Sequence, residues 1–168
     1  MAATVSVFVY GSLLVDDVVR ALLNRVPPSS PALLPDFHRF SIKGRVYPAI
    51  LPLPKHTVSG KVLMGITVPE LDMLDTFEDV EYTRTTVQVT LLDSSDKLEA
   101  EAYVWSDKHD PNLYGDWDFE SGRLSRWTDF KVRGISLRGV LAIHCFPGLS
   151  MIVPLEIDEA KLLCKQFV

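Results

Sequence analysis

Val5-Ser6-Val7-Phe8-Val9-Tyr10-Gly11-Ser12-Leu13, running on into Leu14-Val15-Asp16-Asp17, decides how the rest of the chain is read. Val5–Tyr10 is a short run of β-branched and aromatic residues, which predicts a buried strand. It stops at Gly11-Ser12. Asp16 and Asp17 then open a segment where Val18, Val19, Leu22 and Leu23 recur at helical spacing, and acidic residues in a first turn complement the helix dipole. Pro27-Pro28 is expected to end this helix. A strand entering a glycine turn and then a helix leaves main-chain N–H groups pointing at one spot near the positive helix end. That spot suits a carboxylate or a developing oxyanion. The same tetrapeptide, Tyr10 to Leu13, would also serve an ordinary strand-to-helix connection.

Outward from this unit, the proline-rich Pro27–Pro35 is expected to be a loop. Phe37–Lys43 alternates and reads as a strand, and Val58–Val68 as another, with Gly60 and Gly65 marking a bend or bulge. Thr67-Val68-Pro69-Glu70 fits a capping box ahead of a helix that carries Leu71, Leu74 and Glu78 on one face. Tyr82–Leu92 and Leu98–Trp105 alternate on either side of Asp93-Ser94-Ser95-Asp96-Lys97 and are expected to form a hairpin. Asp118–Lys131 has helical spacing, and Val132–Val168 is an apolar segment broken by Pro and Gly. The architecture is α+β with mostly antiparallel strands.

The chain of 168 residues has 17 Lys+Arg, 22 Asp+Glu and a formal net charge of -5, which suits one domain and argues against a general nucleic-acid binder. Cys145 and Cys164 cannot form a disulfide framework. No long apolar run predicts a membrane span and no basic n-region a signal peptide, so a cytoplasmic protein is expected. No phosphate loop, dinucleotide fingerprint or metal-ligand spacing is present, and neither cofactor nor metal is expected. His109 between Asp107 and Asp110 reads as part of a polar surface loop, and Trp105, Trp117 and Trp127 as packing residues.

Glu78 is the second candidate group. It shares a face with Leu71 and Leu74 and lies at a helix C-terminus, so burial and dipole both push its carboxyl upward, toward general acid/base work near neutral pH. The alternative is that it pairs with Arg84 and stabilises the helix exit. Asp75 and Glu81 read as solvated neighbours. Ser12 lacks the G-x-S-x-G context and an assignable His, which argues against a nucleophilic role.

Five segments in order resemble the gamma-glutamylcyclotransferase-like superfamily, and within it the plant avirulence-induced-gene-like proteins. They are Val7-Phe8-Val9-Tyr10-Gly11-Ser12-Leu13; Lys43-Gly44-Arg45-Val46-Tyr47-Pro48-Ala49-Ile50; Leu74-Asp75 through Phe77-Glu78, Glu81-Tyr82 and Arg84; Ala102-Tyr103-Val104-Trp105; and Asp110-Pro111-Asn112 with Tyr114-Gly115-Asp116-Trp117-Asp118-Phe119-Glu120. The resemblance implies a small mixed, mostly antiparallel β-barrel with flanking helices and a central pocket, over 1–131, with 132–168 as a divergent segment. It implies a gamma-glutamylcyclotransferase that releases 5-oxoproline from a gamma-glutamyl amine, amino acid or peptide. Tyr10, Gly11, Ser12, Leu13, Leu14 and Val15 would line the substrate site, and Glu78 would be the acid/base. Tyr47 and Tyr82 are further candidates for lining it. The family often has Gly after the glutamate where this chain has Asp79; if that position needs positive φ, Asp costs about 1–2 kcal/mol. The rival reading is a catalytically idle protein that binds a small carboxylate, or a defence-response interaction module, on the same fold. The sequence specifies neither the leaving group nor an oligomeric state.

Overall fold

The computed structural model describes residues 4–45 and 47–118. Met1–Lys43 with Tyr47–Trp117 forms one compact unit, which carries all the elements below. The expected helix over Asp118–Lys131, Trp127 and the segment 132–168 lie outside the described residues, apart from Asp118 itself.

Strand β1 (Thr4–Val9) is followed by a 3-10 turn at Ser12–Leu14 and helix α1 (Asp16–Leu23). Two long strands, β2 (Ser29–Ile42) and β3 (Ala49–Thr67), precede helix α2 (Val68–Glu78). A short 3-10 segment, Asp79–Glu81, leads into the hairpin of β4 (Tyr82–Leu91) and β5 (Lys97–Trp105), and β6 is Leu113–Tyr114. The strands are ordered β3-β1-β5-β4-β2-β6, and β2 also pairs with β3, so the pairing runs round a small barrel. The β1–β5 pairing is parallel and the others are antiparallel.

The apolar run of β1 follows from burial on both faces. Phe8 points with Tyr10 into a core shared by Leu34, Ile50, Val62 and Val89, while Val7 and Val9, with Leu63 of β3, face α1 and α2 through Val19, Leu71 and Leu74. Fully burying one such side chain contributes about 1.5–3 kcal/mol.

Two expectations need correction. Of the expected loop Pro27–Pro35, only Pro27 and Pro28 lie outside a strand: β2 begins at Ser29, and Pro31 and Pro35 lie in it, opposite Lys61 and Thr57 of β3. Proline is tolerated there because its carbonyl still accepts, as Pro31 O does from Leu92 N–H at 2.9 Å, and no ladder donor is required of its nitrogen. Helix α1 ends at Leu23, ahead of the prolines, because Asn24 takes a left-handed C-cap conformation at φ 57. The expected bulge at Gly65 is present: the β1–β3 register shifts between Val5 and Val7, and Gly65 has φ 69.

The α2 N-terminus is a full capping box, with the Glu70 carboxylate accepting from Thr67 N–H at 2.9 Å. Arg25 grips the same carboxylate at 2.5 and 2.8 Å and also reaches Gly65 O at 2.8 Å. The Arg25 guanidinium is the first cause of a Glu70 carboxyl lowered from 4.5 to about 2, helped by the Thr67 donors and opposed by burial. Because the folded value lies below the ordinary one, this stabilisation is present above about pH 4.5 and is lost as pH falls toward about 2. Glu70→Gln is expected to cost about 2 kcal/mol at pH 7 and to flatten stability over that acid window. Urea midpoints at pH 7 and pH 3 check this; parallel losses in both proteins would contradict it. Among the described residues, no helix is long and apolar enough to cross a membrane.

Candidate functional site

The turn after β1 is built as its sequence requires. Leu14 N–H closes on Gly11 O at 3.0 Å and Val15 N–H on Ser12 O at 3.1 Å, and α1 starts directly afterwards. The amides of Gly11, Ser12 and Leu13 precede these bonds and donate to no acceptor among the described residues. Among the described residues three adjacent N–H groups have no acceptor, whereas those of Leu14 and Val15 hold the turn together. Leu13 is buried against α1 and α2, and Ser12, Leu14 and Val15 are half-buried.

Gly11 lies close against the Pro48 ring, which a side chain at this position would have to push back by a few tenths of an ångström. A Cβ there would lie 3.0 Å from Cδ and 3.1 Å from Cγ of Pro48. Pro48 is held in turn by the Tyr82 hydroxyl, which donates to its carbonyl at 2.7 Å. Tyr47 donates to Glu81 at 3.3 Å, so Glu81 is a partnered group rather than a solvated one.

The Tyr10 ring is buried, and its hydroxyl donates to the main-chain carbonyl of Tyr103. Burial, and after it the charge of Glu78, raises the Tyr10 phenol well above its ordinary value; the Ile50 main chain and Arg39 act in the opposite direction. The Tyr103 hydroxyl donates to Asp75 at 2.7 Å. Its phenol is raised too, by burial first, then the Asp75 hydrogen bond and the charges of Asp75 and Glu78, against Arg84. Both phenols therefore remain protonated donors at neutral pH, and neither is a base. Half-buried Glu78, the last residue of α2, acts electrostatically on both phenols, so its carboxylate lies within electrostatic reach of the hydroxyl ends of Tyr10 and Tyr103.

Arg84 does not take up Glu78. Its guanidinium binds Asp75 and stands 3.8 Å from Glu101. Asp75 is consequently not a solvated neighbour but a bridge between Arg84 and Tyr103, one helical turn before Glu78 on the same side of α2.

Asp79 follows Glu78 at φ 65 and ψ -167, a region nearly reserved for glycine. Its side chain recovers part of the strain by accepting from Val80 N–H at 2.8 Å. Asp79→Gly is expected to raise stability by about 1 kcal/mol, the relief of strain exceeding the loss of that bond. A higher urea midpoint checks this, and a lower one would contradict it.

The other candidates fall elsewhere. His109 is exposed, and Asp110 is engaged by Trp105 Nε1 at 3.1 Å and by Asn112. Trp105 and Trp117 are buried packing residues. Arg39 had no sequence signal as a site residue, because it reaches Tyr10, Ser59 and Trp117, respectively 29, 20 and 78 positions away.

Residues 7–119 match the family model described as "Gamma-glutamyl cyclotransferase, AIG2-like". AIG2-like protein D of Arabidopsis thaliana is 69% identical over 116 residues, covering 68% of this chain and 76% of the relative. A solution structure of an Arabidopsis thaliana protein is 40% identical with a TM-score of 0.67, over 77% of this chain and 79% of that one. A solved structure named "Gamma-glutamyl cyclotransferase" shares the fold at 19% identity and a TM-score of 0.55, over 67% of this chain and 69% of that chain.

Proposed function

The chain belongs to the gamma-glutamyl cyclotransferase, AIG2-like family, and from that premise we propose that it releases 5-oxoproline from a gamma-glutamyl amine, amino acid or peptide. One observation supports the reading: the amides of Gly11 to Leu13 donate to no acceptor among the described residues, while the Glu78 carboxylate acts electrostatically on the phenol of Tyr10, the residue just before them. An anion site on its own gains nothing from a nearby negative charge. A site that must also move protons does.

The substrate supplies its own nucleophile. Its α-amine attacks the γ-carbonyl carbon, a C–N bond closes the five-membered lactam, and the γ C–N bond to the leaving nitrogen breaks. The α-nitrogen gives up two protons and the leaving nitrogen gains two, so the amine departs as an ammonium ion. Glu78 is the group that accepts a proton from the α-ammonium and returns it to the leaving nitrogen. The amides of Gly11, Ser12 and Leu13 hold the substrate carboxylate or the oxyanion. Tyr10, Leu14 and Val15 supply the buried and apolar sides of the turn, with Tyr47 and Tyr82 near Pro48 on the other. Holding the substrate folded can contribute up to about 7–11 kcal/mol, and no Ser or Cys nucleophile is needed.

Purified protein assayed for 5-oxoproline against a panel of gamma-glutamyl amines, amino acids and peptides tests the proposal. Turnover of at least one class is expected. Binding of 5-oxoproline with no turnover of any would instead identify a carboxylate-binding protein.

A further inference from the structure

We propose that Arg39, on β2, is a positioning residue that aims and polarises the Gly11 amide. The inference rests on the anion-binding reading of the Gly11 turn. Arg39 Nη1 donates to the Tyr10 carbonyl at 2.8 Å and to the Ser59 carbonyl at 3.3 Å, while Nε donates to the Trp117 carbonyl at 3.2 Å. Its guanidinium carbon stands 4.9 Å from the Trp117 ring centre, and Trp117 N–H returns a bond to Arg39 O at 3.0 Å. The cation is held by three separate stretches of chain and has one orientation.

The Tyr10 carbonyl and the Gly11 N–H belong to the same planar trans peptide, so they point in opposite directions and fixing one aims the other. A guanidinium on that carbonyl oxygen also withdraws electron density from the amide nitrogen, which makes the Gly11 N–H a stronger donor. Gly11 N–H meets no acceptor among the described residues, so the strengthened donor is presented to the ligand. Arg39 itself stays behind the peptide and acts through it.

The Gly11 amide signal of isotope-labelled full-length protein reads this effect directly, with 5-oxoproline as the titrated probe. Arg39→Met is expected to move the Gly11 amide proton upfield, to weaken 5-oxoproline binding, and to lower kcat/KM on a substrate from the panel about 10–100-fold. Arg39→Gln keeps a neutral donor and is expected to show the same changes in smaller degree; it decides the matter if Arg39→Met does not fold. A Gly11 amide proton that stays in place in a folded variant, or 5-oxoproline binding equal to wild type, overturns the proposal. Should the wild type turn over nothing, the catalytic reading fails, while the amide signal and the titration still decide the role of Arg39.

Discussion

Gly60→Ala is expected to destabilise the protein by about 3 kcal/mol or more, a large share of the roughly 5–15 kcal/mol that holds a domain together. A Cβ at this position of β3 would lie 2.2 Å from the Val9 carbonyl oxygen and 2.8 and 3.0 Å from atoms of the Phe8 ring. None of these neighbours can give way cheaply. Val9 is paired to Lys61 in the β1–β3 ladder, and Phe8 is fully buried in the barrel core. Either the strands separate or the ring moves, and both disturb the strand that ends in the Gly11 turn. Gly65→Ala is the contrasting case: nothing lies within 4 Å, and only the φ of 69 makes the change unfavourable. Its cost should be about 1–2 kcal/mol. Thermal or urea unfolding of the two variants checks the pair. Equal, small losses at both sites would contradict the close approach of β3 to β1.

Gly60 also marks where local reading of the chain stops. A glycine inside a strand signals a bend, a bulge or a close approach, and which one applies depends on a partner strand that the local sequence does not name. Gly65 is the bulge, and Gly60 the close approach. Features that depend only on neighbours within a few positions were legible: the β1–turn–α1 unit, the Thr67–Glu70 capping box and the β4–β5 hairpin. The strand over Ser29–Pro35 is not legible locally because proline's effect in a strand depends on which side of the ladder its nitrogen faces, and that is set by β3 across the sheet.

The site divides in the same way. The place of Glu78 at the end of α2 and the turn at Gly11 are both legible from local spacing, and their roles are those proposed above. Asp75 reads locally as a solvated residue because its partners, Tyr103 and Arg84, come from β5 and β4. Arg25 was invisible as the second partner of Glu70 for the same reason, since 45 positions separate them. Long-range polar contacts of this kind leave no periodicity to detect. The family resemblance, by contrast, extended over most of the described chain, and the match to residues 7–119 bears it out.

The central claim is that Glu78 moves the proton while main-chain amides hold the anion. Glu78→Gln isolates the first half, since glutamine keeps the size of the side chain and cannot serve as a base. The variant should fold normally, because it removes a negative charge from the C-terminal end of α2, where the dipole disfavours one. Substrate binding through the Gly11–Leu13 amides should persist, leaving KM within a few-fold of wild type, whereas kcat should fall about 100–10,000-fold. The deciding measurement is 5-oxoproline release by wild type and Glu78→Gln at equal concentration, on whichever gamma-glutamyl compound the wild type turns over fastest. Loss of turnover in a folded variant that still binds substrate is the predicted result; equal turnover by the two proteins would remove Glu78 from the chemistry and contradict the account.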